Sequence, residues 1–302
     1  MVDPLMGDRS APADARDLLR KYELLPKRSF SQNFLIEPGA TAQIADATAA
    51  LGRQVVELGP GLGALTHALL ERGCNVLGVE LDRDMVCVLR QEFADQERLE
   101  LRQADAAKVD FTEHSRICGS KLVVTGNLPY QATGAILRRV VVHRAVLTGA
   151  VLMVQREVRD RLVAEASTKQ YGALTVFTRA GFEVETVCRL KPGSFYPAPK
   201  VESAVVRLLP RAEPLAEETE SFQAVVRAAF QMRRKTLRNA MRALGDGDRA
   251  DRALSAAGID PVRRGETLSI EEFAQLVRCW DAPQTIAYVA GWGPGMYRAP
   301  AC

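Results

Sequence analysis

The stretch Gln54-Val55-Val56-Glu57-Leu58, running straight into Gly59-Pro60-Gly61-Leu62-Gly63, constrains the fold more than any other part of the chain. A short β-branched run reads as a strand. The glycines let the backbone turn tightly and pass close to a ligand. Ala64 to Glu71 then reads as a helix, so strand, turn and helix open a βαβ unit. The next run, Val76 to Val79, ends in Glu80, and Leu99 to Gln103 leads into Ala104-Asp105-Ala106. Three successive strands thus end in polar, ligand-like residues. A further apolar run, Leu122 to Val124, leads into Gly126-Asn127-Leu128-Pro129-Tyr130, where the proline cannot continue a ladder. The expected class is α/β with a parallel sheet, whose ligands lie outside the carboxyl ends of the strands.

The chemistry at those strand ends points to an adenosine-bearing cofactor. Glu80 follows Gly59 by about 20 residues, the spacing at which an acidic side chain accepts from ribose hydroxyls. Two cofactors fit. Gly59, Gly61 and Ala64 satisfy the relaxed nicotinamide pattern, so a dehydrogenase is a candidate. S-adenosylmethionine (SAM) carries a sulfonium in place of the pyrophosphate, and Glu57, two positions before the first glycine, suits a cationic methionine tail. Glu57 could equally be a capping or ion-pair residue. Asn127 offers a carbonyl acceptor and an NH2 donor, and Tyr130 offers a face for stacking. An exocyclic amine on a planar base needs that combination, although Asn and Pro also occur in ordinary strand-to-helix turns.

The rest of the chain surrounds this unit. The segment before about Arg20 is rich in Ala, Asp and Pro and is expected to be poorly ordered. Lys27 to Leu35 reads as an extended loop, and Thr41 to Leu51 as a helix ended by Gly52. After Tyr130 come a helix (Ala132 to Arg139), a strand (Ala150 to Val154), a charged helix from Gln155, and strands at Leu174 to Thr178, Glu183 to Leu190 and Val201 to Leu208. Between the last two, Phe195 and Tyr196 sit in a loop with three prolines, as packing residues or as a stacking platform. Pro210 to Glu220 reads as an acidic linker. Beyond it, Ser221 to Leu244 carries six Arg or Lys and no acidic residue beside an apolar stripe, a basic amphipathic helical region whose free face attracts phosphate or is simply solvated. Two further helices are expected, at Asp248 to Ala257 and Ile270 to Trp280. The resulting division is an extension (1–26), a cofactor domain (27–209), a linker (210–220), a helical domain (221–282) and an irregular tail (283–302).

Composition excludes several classes. The net charge of +3 argues for no partner by itself. Six scattered cysteines without a Cys-x-x-Cys pair suggest neither zinc nor a disulfide framework. The most apolar stretch, Ala145 to Val154, is too short to span a bilayer. A cytoplasmic protein without a membrane segment is expected.

Taken together, these motifs resemble the rRNA adenine-N6 dimethyltransferase family, which includes bacterial small-subunit rRNA dimethylases, erythromycin-resistance methylases and mitochondrial transcription factor B proteins. The resemblance covers roughly Lys27 to Trp280. It rests on Gln32-Asn33-Phe34-Leu35, Glu57 to Gly63, Glu80-Leu81-Asp82, Asp105-Ala106, Asn127 to Tyr130, and Phe195 to Ser203. The stretch Phe230 to Asn239 resembles the small-subunit branch more than the resistance branch. The family implies a class I SAM-dependent methyltransferase (Rossmann-like) domain with a smaller all-helical C-terminal domain, SAM as cofactor, no metal, and rRNA in a small ribosomal subunit or its precursor as partner of a monomeric enzyme. It implies cofactor contacts from Asn33, Leu35, Gly59, Gly61, Glu80, Asp105 and Asn127. The catalytic group would be Asn127, Leu128, Pro129, Tyr130 and Phe195, with Asn127 and the Leu128 carbonyl holding the target amine and the two aromatic rings stacking on the base. Arg233, Arg234, Lys235 and Arg238 would meet RNA. A large-subunit methylase of the macrolide-resistance type and a transcription-factor-like relative are the alternatives.

Overall fold

The computed structural model describes residues 14–282 apart from Arg233 and Asp246. The tail and the first thirteen residues of the extension therefore lie outside the described residues. In chain order the N-terminal part comprises α1 (Ala15–Lys21), β1 (Phe34–Leu35), α2 (Pro38–Ala49), β2 (Gln54–Leu58), α3 (Ala64–Glu71), β3 (Asn75–Glu80), α4 (Arg83–Glu92), β4 (Leu99–Gln103), α5 (Phe111–Cys118) and β5 (Leu122–Asn127). It continues with α6 (Thr133–Val142), β6 (Leu147–Gln155), α7 (Arg156–Leu162), α8 (Ala173–Gly181), β7 (Phe182–Leu190), β8 (Phe195–Tyr196) and β9 (Ser203–Pro210). Four helices follow: α9 (Glu220–Gln231), α10 (Leu237–Arg242), α11 (Gly247–Ala256) and α12 (Ile270–Asp281).

Seven strands form one sheet in the order β4-β3-β2-β5-β6-β9-β7. The first five run parallel, and β9 is antiparallel to both of its neighbours. The period of two along each strand separates the faces. Val55, Val76 and Val123 pack with Ala45 of α2 and Leu69 of α3. Val56, Leu77 and Val124 pack with Phe111 of α5 and Ile136 of α6 on the other side. Near-continuous apolar strands are what a sheet covered on both faces requires. Gly126 has φ +151, and a Cβ there would lie 2.2 Å from the Leu58 carbonyl oxygen. Only glycine lets the end of β5 close against the end of β2, which brings Asn127 beside the glycine turn.

The helical region has its own core, in which Phe222 and Phe273 are fully buried. Burial of such a ring contributes about 1.5–3 kcal/mol. Tyr171, Val176 and Ala180 join this core from before β7, and the Tyr171 hydroxyl donates to the Leu268 carbonyl at 2.8 Å. The segment between β9 and α9 is also anchored: the Leu215 N–H donates to the Ala180 carbonyl, and Glu218 pairs with Arg138 of α6.

Two expectations are corrected and a third is refined. The Leu174 to Thr178 strand is the helix α8. Its β-branched and aromatic residues favour a strand, but the N–H of Gly172 donates to the Thr175 hydroxyl at the helix start, and Phe177 meets Phe222 edge-on at 5.9 Å. Tertiary packing overrides the propensity. Residues 15–21, expected to be poorly ordered, form α1, capped by the Asp14 carboxylate accepting from the Arg16 N–H at 2.7 Å. The basic region is two helices, broken between Gln231 and Leu237. Helices α4 and α5 were not foreseen; each starts with an aspartate cap, Asp82 and Asp110.

Candidate active site

Parallel strands deliver their terminal residues to one edge of the sheet, and one cavity opens there. It is lined by Asn33, Leu35, Gly59, Gly61, Glu80, Asp105, Asn127, Leu128, Pro129, Tyr130 and Phe195, all of the catalytic and cofactor candidates read from the sequence. The strand order β4-β3-β2-β5 sets them side by side: Asp105, Glu80, the glycine turn, Asn127.

The wall of the cavity formed by the ends of β2, β3 and β4 is acidic, and its carboxylates are hydrogen-bonded. The Glu80 Oε1 accepts from the N–H groups of Leu81 and Asp82 at 2.8 and 2.9 Å, and Oε2 accepts from the Gly61 N–H at 3.1 Å. Burial raises the Glu80 pKa, while those three backbone donors pull it down. The Ala104 N–H donates to the Glu80 carbonyl, which ties the end of β4 to that of β3. Asp105 caps a short turn through the Ala107 N–H at 2.9 Å. Glu57 is buried, and its carboxylate has only the Thr66 hydroxyl, at 2.6 Å, as hydrogen-bond partner among the described residues. Burial, and to a smaller degree the nearby Glu80 charge, push its pKa up to about 7, against the Thr66 hydrogen bond that lowers it. Burial thus favours the protonated carboxyl, and a cation nearby would favour the ionised one. Gly61 has φ +58, which strains any other residue, and a Cβ there would press on the Phe34 ring at 3.2 Å.

The wall formed by the end of β5 and by β8 is polar and aromatic. The Asn127 Nδ2 donates to the Asn33 carbonyl at 2.9 Å. With that donor tied, Oδ1 has no partner among the described residues and is the acceptor available to a ligand. The Leu128 N–H donates to the Met153 carbonyl, which holds the motif against β6. Burial raises the Tyr130 pKa, and a hydrogen bond with Ser203 opposes it. Phe195 is buried, and β8 pairs antiparallel with β1, Leu35 opposite Phe195. The N-terminal loop and the proline-stiffened loop therefore form one two-stranded cover at the cavity.

Sequence reasoning missed what holds that cover. Lys27 Nζ bonds Asp82 and Asp84 at 2.7 and 2.6 Å, and Gln32 Nε2 donates to Asp82 at 2.7 Å. No local spacing relates Lys27 to Asp82. Met153 also lines the cavity, on a strand that carries no motif of its own, and Ser203, the last residue of the Phe195 to Ser203 motif, lines it from the start of β9. The RNA candidates lie apart from it. Arg234 and Lys235 are exposed in the α9–α10 connection, and Arg233 lies outside the described residues. Arg238 is engaged by Asp251 through two hydrogen bonds of 2.8 and 2.7 Å, and Arg242 shares the same carboxylate.

Residues 24–281 match the family model described as ribosomal RNA adenine dimethylase. The ribosomal RNA small subunit methyltransferase A of Anaeromyxobacter sp. (strain K) is 43% identical over 276 residues, covering 87% of this chain and 96% of that protein. Among solved structures, the 23S rRNA methyltransferase ErmE superposes with a TM-score of 0.61 at 28% identity, covering 82% of this chain and all of that one. A dimethyladenosine transferase from Plasmodium falciparum superposes with a TM-score of 0.68 at 24% identity, covering 80% of this chain and 95% of that one, which speaks for the fold. The fold is that of the class I SAM-dependent methyltransferases, and the chain belongs to the ribosomal RNA adenine dimethylase family.

Proposed function

We propose that this enzyme transfers methyl groups from SAM to N6 of adenosines in rRNA, dimethylating two adjacent adenosines near the 3′ end of small-subunit rRNA. The observation that carries the chemistry is Asn127. It sits at the carboxyl end of a buried central strand, its amide oriented by the Asn33 carbonyl, between an acidic wall and the rings of Tyr130 and Phe195. The small-subunit assignment is supported by a relative matched over almost its whole length and named for that subunit.

The residues present fit SAM. Glu80 would accept from the ribose hydroxyls with lone pairs its three backbone donors leave over, and Asp105 from the adenine amine. Buried Glu57 answers a cationic methionine tail, Gly59 and Gly61 leave room for it, and Asn33 and Leu35 close over it. When bound, SAM supplies a methyl group on a sulfonium. The remaining work falls to the protein. Adenine's amine lone pair is delocalised into the ring and is a poor nucleophile. The Asn127 Oδ1 and the Leu128 carbonyl, by accepting both N6–H bonds, favour a pyramidal nitrogen and stabilise the positive charge that develops on it. Pro129 stiffens the turn that holds both acceptors. Tyr130 and Phe195 take the base from its stack, each contact worth about 1–3 kcal/mol. No strong base is needed, because the methylated ammonium loses its proton readily, and an electrophilic sulfonium needs no metal.

The proposal divides the chain into a methyltransferase domain (27–209) and an RNA-binding helical domain (221–282), in a monomeric enzyme of the cytoplasm. No helix among the described residues is long and apolar enough to cross a membrane. Mass spectrometry of nucleosides after incubation with SAM and under-methylated ribosomal subunits tests the reading. Dimethyladenosine in small-subunit RNA is expected. Its appearance only in large-subunit RNA would transfer the assignment to the macrolide-resistance branch, and its absence from both would sink it.

A further inference from the structure

The family match begins at residue 24, yet the cavity has a wall that precedes it. Ala15, at the start of α1, lines the cavity. A helix of seven residues is too short to persist alone, so its neighbours must hold it, and those neighbours are the cofactor elements. Buried Leu18 and Leu19 pack in one cluster with Phe34 of the cover, Leu62 of the glycine turn, and Met85 and Val88 of the helix that follows Glu80. The C-terminal end of α1 is pinned to α4: the Tyr22 hydroxyl and Lys21 Nζ reach the Glu92 carboxylate at 2.5 and 2.6 Å. From its exposed face, Arg16 places its guanidinium 5.3 Å from the centre of the Tyr196 ring. Tyr196 neighbours Phe195 on β8, so α1 touches the cofactor side and the target side together.

We infer that α1 is a retaining wall of the SAM site, docked through Leu18 and Leu19 and latched to the target-side cover by Arg16, so that docking of α1 and occupancy of the cavity reinforce each other. The inference rests on the reading that this cavity holds SAM. Its physical basis is linkage: if the occupied cavity needs Phe34, Leu62 and the start of α4 in their present places, an element that packs on all three binds more firmly when the cavity is filled. A short helix with few contacts is the part of such a wall that opens first.

The experiment uses the full-length chain and S-adenosylhomocysteine as probe, with binding by calorimetry and trypsin cleavage after Arg20, Lys21 and Lys27 as the second readout. In the parent, the probe should slow cleavage at these sites by about tenfold, the factor corresponding to 1.4 kcal/mol of coupling. Leu18→Ala/Leu19→Ala should weaken probe binding by about tenfold and remove most of that protection, with cooperative thermal unfolding retained. Arg16→Ala, at an exposed position where misfolding is not at issue, should weaken binding by about threefold and Arg16→Lys by less. Parent-like affinity in both alanine variants, or cleavage in the parent that ignores the probe, overturns the inference while leaving the SAM reading intact. A parent that does not bind the probe at all overturns both.

Discussion

The carboxyl edge of the sheet and the helical unit α9–α12 both carry the residues assigned to function, but they hold them in opposite ways. At the sheet edge the ionisable groups are few and two of them are withdrawn from water: Glu57 and Glu80 are both buried, and their partners are backbone amides and a hydroxyl. In the helical unit the charges are many and exposed, and several are paired with one another, as Arg238 and Arg242 are with Asp251. A group held by fixed dipoles in a low dielectric acts singly and strongly. A group on a solvated face acts through its number and is screened by salt. The sheet edge should therefore be sensitive to single substitutions and the helical unit only to several together.

The severest test of that contrast is Asn127→Ala. The acceptor it removes works hardest as charge develops on N6, so the methyl-transfer step should slow by about 10²–10³-fold, as for other preorganised polar groups. Folding and RNA affinity should change little, and the loss of the Nδ2 bond to Asn33 should loosen SAM only modestly. Single-turnover kinetics with saturating RNA and SAM read the step directly. A rate within about threefold of the parent, less than 1 kcal/mol, would mean that the strand end is not the catalytic centre.

Glu80→Ala comes next. It removes a charged acceptor buried beneath the site, and SAM affinity should fall by about 1.5–3 kcal/mol. Unpaired N–H groups at Gly61, Leu81 and Asp82 add a cost to stability. Calorimetry showing unaltered SAM binding would remove the end of β3 from the site. The same measurement on Tyr130→Phe should find the parent affinity, because that change keeps the ring.

Glu57 turns the contrast into a pH dependence. Its pKa stands at about 7 in the folded chain against an ordinary value of 4.5. The stability of the ligand-free protein linked to this group is therefore fully present below the unfolded value and is lost as pH rises through about 7. A cation entering the cavity favours the ionised form, so SAM binding at lower pH must expel a proton. Affinity should rise with pH by up to about tenfold per unit below 7 and level off above it. In Glu57→Gln that slope should vanish, with weaker binding throughout. A slope that survives the substitution would assign the titration to another group.

Much of this was legible because parallel strands write their function at one end. Each βα unit of the N-terminal half closes on a residue whose type and spacing carry chemistry, and the strand order then sets Asp105, Glu80 and Asn127 in a row. What was not legible depends on contacts distant in sequence. Leu174 to Thr178 has the β-branched and aromatic composition of a strand, and its helical state comes from packing on Phe222, in another layer. Residues 15–21 read as poorly ordered because the apolar pair Leu18-Leu19 shows no period without Phe34 and Met85 beside it. The Lys27–Asp82 tie has no local signal at all. The basic run is plain in the sequence, but the pairing of Arg238 is not, since Asp251, which engages it, lies on another helix.

The smallest effect, and the one that bears on the other half of the comparison, is expected from Arg234 and Lys235. Both are exposed in the α9–α10 connection, and neither lines the cavity. If they meet RNA phosphates, each replacement by Gln should lower the salt dependence of RNA affinity by about 0.7–0.9 in log–log slope, with SAM affinity unchanged. Arg238→Gln should give less, because part of its charge is already answered by Asp251 and the remaining Arg242 can retain that carboxylate. Titrations of a small-subunit RNA fragment at several salt concentrations separate the three. If Arg238→Gln lowers the slope as much as Arg234→Gln does, the ion pair opens on binding, and the helical unit's paired arginines belong to its RNA surface as fully as its free ones. If none of the three alters the slope, the exposed charge of this unit is solvated surface and the RNA is held at the sheet edge.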